Sequence, residues 1–179
     1  VLLGFAALNV VSVGGAVAYM VAHGIMLALF FSQVGYVYEK TELRRVGDLW
    51  GLAHYMPHVT VGFMLAGLCS LGLPGLIGFV PEFTIFVGTV EAYPVLTVIA
   101  VSGIIFTAFY VLRMLARVLF GPKVERKIDV VPLVVLGVFL VGFGVFPGLL
   151  MGMVDAGTAP LAPLLEMIQD APTILGGGQ

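Results

Sequence analysis

The segment at residues 59–90 constrains the fold of this chain more than any other. It holds thirty-two residues, and its only ionisable side chains are those of Glu82 and Cys69. As one straight helix it would be about 48 Å long at 1.5 Å per residue, whereas the hydrocarbon core of a bilayer is about 30 Å thick. A simple membrane-spanning helix therefore does not fit this segment.

The centre of the segment contains helix-breaking residues. Pro74 and Pro81 each remove a backbone donor and clash with the preceding turn. Gly72, Gly75 and Gly78 give the backbone freedom to unwind. We therefore predict two half-helices joined by a break at membrane depth. Lipid cannot satisfy unwound backbone, so such a break has to be buried in protein or to line a polar cavity, as in transporters.

Composition places the whole chain in a membrane. Of its 179 residues, 60% are hydrophobic and 10% are charged, and the mean hydropathy is +1.14. The apolar runs are continuous over about twenty residues or more, which indicates helices. We predict an all-α, polytopic transmembrane helix bundle with one discontinuous helix. The net charge of −2 and the lack of a basic tract argue against nucleic acid as a partner.

Four membrane spans are predicted from the apolar runs, at about residues 16–38, 59–90, 95–120 and 130–154. Residues 1–8 are apolar but too short to cross, and we expect them to be the end of a helix whose start is missing. Polar and glycine residues at 9–15 predict a turn after it. These elements form a predicted transmembrane domain at residues 1–154. The tail at 155–179 is interrupted by prolines, and we expect it at most to lie along the membrane interface.

Two basic loops determine the predicted topology. One lies at residues 39–58 and the other at residues 123–129, and each carries three Lys or Arg residues. Because two spans separate them, both lie on the same side, which the positive-inside rule makes cytoplasmic or its organellar equivalent. The loops near Asn9 and Glu91 then face outward.

Glu82 is the main candidate for chemistry. A carboxylic acid at membrane depth costs about 2.5 to 3.5 kcal/mol on insertion scales, and such groups usually face the protein interior and handle protons or ions. Burial favours the neutral acid, whereas a place in the first turn of the second half-helix, just after Pro81, favours the carboxylate. We predict that Glu82 takes up and releases protons. The alternative is a structural carboxylate that holds the broken backbone together.

His23 is the second candidate. It lies eight residues from the outward end of its predicted span, and Glu82 lies eight residues from the outward end of its own segment, so both are about 12 Å deep. An imidazole can relay protons, but a lone histidine in a span can also cap a carbonyl of the broken helix, and both interpretations stay open. Arg113 and Arg117 fit side chains that reach the headgroups or that contact a neighbouring subunit.

Four short motifs carry a family resemblance. They are Val-Ala-His-Gly at 21–24, Gly-Asp-Leu-Trp-Gly-Leu at 47–52, Ser-Leu-Gly-Leu-Pro-Gly at 70–75 and Gly-Phe-Val-Pro-Glu-Phe at 78–83. Over about residues 1–120 the chain resembles the antiporter-like, proton-translocating subunits of respiratory complex I. The resemblance is closest to subunit M, because the L- and N-type subunits and the multisubunit sodium/proton antiporters typically carry lysine where this chain has Glu82.

The resemblance implies the C-terminal part of a fourteen-helix proton-translocating subunit with two inverted five-helix repeats, each containing one broken helix. It implies that Glu82 matches the terminal proton carrier and that His23 matches a histidine on the central polar axis. The family's other essential charges lie on helices that have no counterpart here, so this chain alone is not expected to pump. Pro81 departs from the glycine that is usual in the family.

The resemblance also implies a cellular setting. We expect proton translocation as part of NADH:quinone oxidoreductase, in a bacterial plasma membrane or an organellar energy-coupling membrane, with L- and N-type membrane-arm subunits as partners. The chain lacks the Cys clusters and phosphate-binding glycine motifs that iron–sulfur clusters, flavins and nucleotides need, so we expect no cofactor in it. The alternatives are a subunit of a multisubunit Na⁺/H⁺ antiporter, a subunit of an energy-converting membrane hydrogenase, and a degenerate structural fragment.

Overall fold

The computed structural model describes residues 1–120 and 131–168, without the side chains at 131–133. Every regular element in these ranges is helical, which confirms the predicted all-α bundle. The helices are α1 (Leu2–Ala6), α2 (Val10–Thr41), α3 (Leu52–Tyr55), α4 (Pro57–Ser70), α5 (Phe79–Ala92), α6 (Pro94–Leu119), α7 (Val131–Val145) and α8 (Pro147–Thr158), with short 3₁₀ turns at Val46–Asp48 and Ala159–Leu161. The predicted basic loop at 123–129 and the end of the tail lie outside the described residues.

Within the described part of the chain, three helical stretches are long and apolar enough to cross a membrane, namely Val10–Thr41, Pro94–Leu119 and Pro147–Ile168. The helices α4 and α5 contain 14 residues each, or about 21 Å, so neither crosses alone. Residues 71–78 separate them. The predicted discontinuous helix is therefore confirmed, with α4 and α5 as its two halves.

The helix α2 begins at Val10 and not near residue 16, so the predicted turn at 9–15 is wrong. The Asn9 side chain caps the helix, because its oxygen accepts a hydrogen bond from the backbone N–H of Ser12 at 2.8 Å. Gly15 lies within the helix, where a Cβ atom would come 3.0 Å from the backbone nitrogen of Ile85 in α5. Gly15 therefore allows close packing between α2 and α5 instead of forming a turn.

The predicted span at 130–154 is not one helix. Phe146 leaves the helical conformation, with φ −116° and ψ 65°, and Pro147 begins α8. A proline disfavours helical geometry in the residue before it, which accounts for the interruption. The predicted domain boundary at 154 also lies inside α8, and helical structure continues to Ile168.

The helix α2 lies at the centre of the bundle and packs against α1, α4, α5, α7 and α8. The buried side chains form two clusters. The first surrounds the break and includes Ala18, Ala22, Leu29, Ile77, Leu140 and Leu150. The second lies where α2 ends and includes Val37, Leu52, Met56, Leu115 and Leu119. The break is thus held between α2 on one side and α7 on another.

Candidate functional site

Residues 71–78 form the break between α4 and α5. Gly72 and Gly75 have φ values of +65° and +91°, which side chains other than glycine rarely adopt, so both unwind the backbone as predicted. Gly78 has an ordinary helical φ of −71°, and the prediction that it unwinds the backbone is wrong. A Cβ atom on Gly78 would come 2.7 Å from the carbonyl oxygen of Cys69. Gly78 therefore allows the two half-helices to approach each other.

The helix α7 supplies a protein environment for the unwound backbone. The N–H of Ile77 donates a hydrogen bond to the carbonyl oxygen of Leu140 at 3.0 Å. Nearby, Gly144 lies so close to the backbone of Leu76 that a Cβ atom there would overlap it. Because lipid offers no partner to a free backbone N–H, this contact is what a break at membrane depth requires. Pro74 lies in the break and is exposed.

Glu82 lies in the first turn of α5, directly after the break. Pro81 precedes it and is less than 2% exposed, and a proline this early in a helix costs no helical hydrogen bond. The Glu82 carboxyl group turns back over the break. A Cβ atom on Gly72 would lie 2.5 Å from Oε2 of Glu82. The break therefore positions the carboxyl group beside unwound backbone, at the positive end of the α5 dipole.

Glu82 and His23 line the same cavity, which has a volume of about 360 Å³. We call it the Glu82 cavity. Its other polar side chains are those of Tyr19, Ser70, Thr107 and Tyr110. A carboxyl group, an imidazole and several hydroxyl groups around one cavity can hold water and exchange protons. The two residues that the sequence places at equal depth thus belong to one site.

Tyr19 lines the cavity and contacts His23, although the sequence patterns did not single it out. The two rings stack with their centroids 5.9 Å apart and an angle of 29° between their planes. Their spacing of four residues along α2 is a signal that was present in the sequence. Thr107 and Tyr110 gave no such signal, because they reach the cavity only through the packing of α6 against the other helices.

No three His, Cys, Asp or Glu side chains come together as a metal site within residues 1–120 and 134–168. Cys69 is a buried free thiol. Among the described residues that line the Glu82 cavity, Glu82 carries the one carboxyl group.

Arginine side chains collect where α2 and α6 end, and we call this part of the bundle the basic end. Arg117 lies over the ring of Trp50 at 5.2 Å. Arg44 donates a hydrogen bond to the hydroxyl of Tyr38 at 2.8 Å and lies 4.7 Å from the centroid of its ring. These contacts place cations beside amphipathic rings, as is typical at a membrane surface.

Comparison with known proteins identifies the family. Residues 1–107 match the family described as "NADH:quinone oxidoreductase/Mrp antiporter, TM". The "NAD(P)H-quinone oxidoreductase chain 4 2" of Synechococcus sp. (strain JA-2-3B'a(2-13)) is 32% identical over 194 residues, which cover 97% of this chain and 36% of that protein. The "F(420)H(2) dehydrogenase subunit M" of Methanosarcina mazei is 35% identical over 161 residues, which cover 86% of this chain and 32% of that protein.

A solved structure with a similar fold supports the same family assignment. The match is to a chain of respiratory complex I from Thermus thermophilus with bound NADH, at a TM-score of 0.78 and 29% identity, and it covers 91% of this chain and 36% of that chain. This chain spans about a third of the length of the curated relatives it matches. The resemblance carried by the sequence motifs is confirmed, and the chain belongs to the NADH:quinone oxidoreductase/Mrp antiporter transmembrane family.

Proposed function

We propose that this chain translocates protons as part of a subunit-M-type component of NADH:quinone oxidoreductase, with Glu82 as the proton carrier. The observation that supports this proposal most is the position of Glu82 at the break, on the wall of the cavity that it shares with His23. A carboxyl group at membrane depth is costly to keep unless it has a role there.

The surroundings of Glu82 suit both of its protonation states. The partial positive charge at the start of α5 stabilises the carboxylate, and its partial burial stabilises the neutral acid. A change in the hydration of the cavity is then enough to move the proton. Glu82 receives it from a neighbouring group of the parent subunit and releases it toward the end of the bundle where α2 begins. His23 lines this path and relays protons within it.

The names of the relatives support the proposal that redox chemistry and proton translocation belong to different subunits. One relative is named for the oxidation of NAD(P)H and another for the oxidation of F420H2. A proton-carrying site that serves different electron donors fits a membrane subunit in which redox centres belong to other subunits. We place the chain accordingly in an energy-coupling membrane, either the bacterial plasma membrane or an organellar one, beside L- and N-type membrane-arm neighbours and with no cofactor of its own.

A second candidate function is cation/proton antiport without redox chemistry, because the family description also names Mrp antiporters. The two functions predict different partners. Purification of the intact assembly with this chain as bait is expected to bring quinone reductase subunits. Small antiporter subunits in their place would favour the second function.

The proposed function is tested by Glu82→Gln in the intact assembly, in inverted membrane vesicles supplied with NADH. Gln keeps the size of the side chain and its hydrogen bonds but carries no proton. Proton uptake and coupled quinone reduction are expected to fall together while the assembly stays intact. The matched control is Glu91→Gln, which makes the same change at an exposed position near the end of α5. If Glu82→Gln behaves like the control in both measurements, Glu82 is structural and the proposal is wrong.

A further inference from the structure

A second cavity lies next to the Glu82 cavity and has a mostly apolar lining. We call it the apolar cavity. Its volume is about 470 Å³, and its wall includes Val34, Val37, Leu49, Met114 and Val118. Phe30 lines both cavities.

The two cavities follow one another along the same three helices. In α2 the boundary falls at Phe30, in α4 it falls between Phe63 and Ala66, and in α6 it falls between Val111 and Met114. On each helix, the residues nearer the basic end line the apolar cavity. The cavities are therefore two compartments of one groove between α2 and α6, which runs from the level of Glu82 to the basic end.

Phe30 and Phe63 meet at the boundary. Their rings are in edge-to-face contact, with centroids 5.3 Å apart and an angle of 90° between the planes, a geometry that aromatic pairs prefer. Phe63 is 7% exposed, so its ring is fixed in the core of the basic end. Counted along α2, Phe30 lies seven residues from His23, or about 10 Å toward the basic end. Two aromatic rings thus separate the polar compartment from the apolar one.

The linings of the two compartments have opposite consequences for protons. The Glu82 cavity offers a carboxyl group, an imidazole and hydroxyl groups to water. Among the described residues that line the apolar cavity, the polar side chains are those of Tyr38 and Arg44 at its far end, where Arg44 donates a hydrogen bond to the Tyr38 hydroxyl. Cavities lined by aliphatic and aromatic side chains stay dry, and hydrophobic constrictions exclude water from pores. Without a chain of water molecules, a proton does not cross the apolar compartment.

We propose that Phe30 and Phe63 form a hydrophobic barrier that prevents protons from passing between Glu82 and the basic end. The barrier makes the site one-sided, since protons on Glu82 do not run back along the groove during turnover. The cation at Arg44 adds to the effect by repelling hydronium at the mouth of the apolar cavity. This inference rests on the proposed role of Glu82 as the proton carrier.

The barrier is tested with Phe30→Ser and Phe63→Ser in the intact assembly, in sealed vesicles. A pH gradient is imposed without redox substrate, and its decay measures the passive proton leak. Each variant is expected to raise the leak severalfold and to lower net proton uptake, while quinone reduction continues. If the two variants assemble and their proton leak equals that of the parent, the barrier proposal is wrong. Phe30→Ala, a smaller change that also opens the constriction, decides the question if neither serine variant assembles.

Two controls separate the barrier from general damage. Phe31→Ser makes the same change at the neighbouring residue, which is 63% exposed and lines neither of these cavities. Phe30→Leu keeps the boundary apolar. Both are expected to retain the parental leak rate. A leak in Phe31→Ser as large as that in Phe30→Ser would show nonspecific disruption and overturn the barrier.

A double variant separates this inference from the proposed function. If the leak opened by Phe30→Ser passes through Glu82, then adding Glu82→Gln is expected to return it toward the parental rate. A leak that persists in the double variant overturns the one-sided path to Glu82. Glu82→Gln alone, measured for pumping, reports on the proposed function whatever the state of the barrier.

Discussion

The carboxyl group of Glu82 lies against the backbone of Gly72, so closely that a methyl group on Gly72 would come within 2.5 Å of Oε2. Gly72 is also in the left-handed region, at φ +65°. The break therefore does more than interrupt a helix. Its unwound turn leaves room for the carboxyl group and holds it at the start of α5, on the wall of the polar cavity.

Gly72→Ala is expected to impair proton uptake, because the new methyl group displaces the Glu82 carboxyl group. Gly75→Ala is the matched control, since Gly75 has φ +91° but a Cβ atom there meets nothing within 4 Å. Both changes add left-handed backbone strain of about 1–2 kcal/mol. The Tm of the two assemblies is expected to fall by similar amounts. Only Gly72→Ala is expected to lower the ratio of protons taken up to quinone reduced, and equal ratios in the two variants would contradict this account.

Much of the fold was readable from the sequence because its signals are local. Two prolines and three glycines inside an apolar segment of excess length predicted the break, and the structure has it at residues 71–78, with Pro81 just beyond it in the first turn of α5. The same rule applied to Pro147 would have found the interruption between α7 and α8. The predicted start of α2 is wrong because glycine occurs both in turns and where helices pack closely. The sequence does not distinguish them until α5 is in place against Gly15.

The sequence predicted only part of the candidate site. Spacing along a helix gives the depth of a residue, so Glu82 and His23 were placed at one level. Spacing does not give the rotation of one helix against another, which decides whether Thr107 and Tyr110 of α6 reach the same cavity. The contact between Phe30 of α2 and Phe63 of α4 also depends on how two helices are rotated against each other, so spacing along the sequence does not predict it.

His23→Gln is expected to slow coupled proton uptake severalfold, and less than Glu82→Gln does. The imidazole lines the cavity but is exposed at its edge in this chain, and glutamine keeps a polar side chain without relaying protons. Uptake is measured in energised vesicles, with quinone reduction recorded in parallel. His54→Gln is the control, because His54 is an exposed residue of α3 at the basic end. An effect of the same size in both variants would remove His23 from the path.

Asn9 is expected to stabilise the packing of α2 on α5 through two separate hydrogen bonds. Its oxygen accepts from the N–H of Ser12, and its Nδ2 donates to the carbonyl oxygen of Gly88 at 2.6 Å. Asn9→Ala loses both and is expected to lower the free energy of unfolding by about 0.5–2 kcal/mol through the lost cap alone. Asn9→Asp keeps the cap but cannot donate to Gly88. Thermal unfolding of the assembly should rank the parent first, then Asp, then Ala, and a Tm for Asn9→Ala equal to the parent's would show that the cap contributes nothing.

Gly144→Val is expected to disrupt the break from the side of α7, because a side chain at this position overlaps the backbone of Leu76. Overpacking of a well-packed site typically costs about 1–3 kcal/mol, and here it also pushes α7 away from the hydrogen bond between Ile77 and Leu140. Gly142→Val is the matched control, since it lies in the same helix, carries the same change in helix propensity and meets nothing within 4 Å. The yield and Tm of the assembled complex are expected to fall for Gly144→Val only. If both variants assemble and melt like the parent, α7 does not support the break, and the backbone of residues 71–78 is held by α4 and α5 themselves.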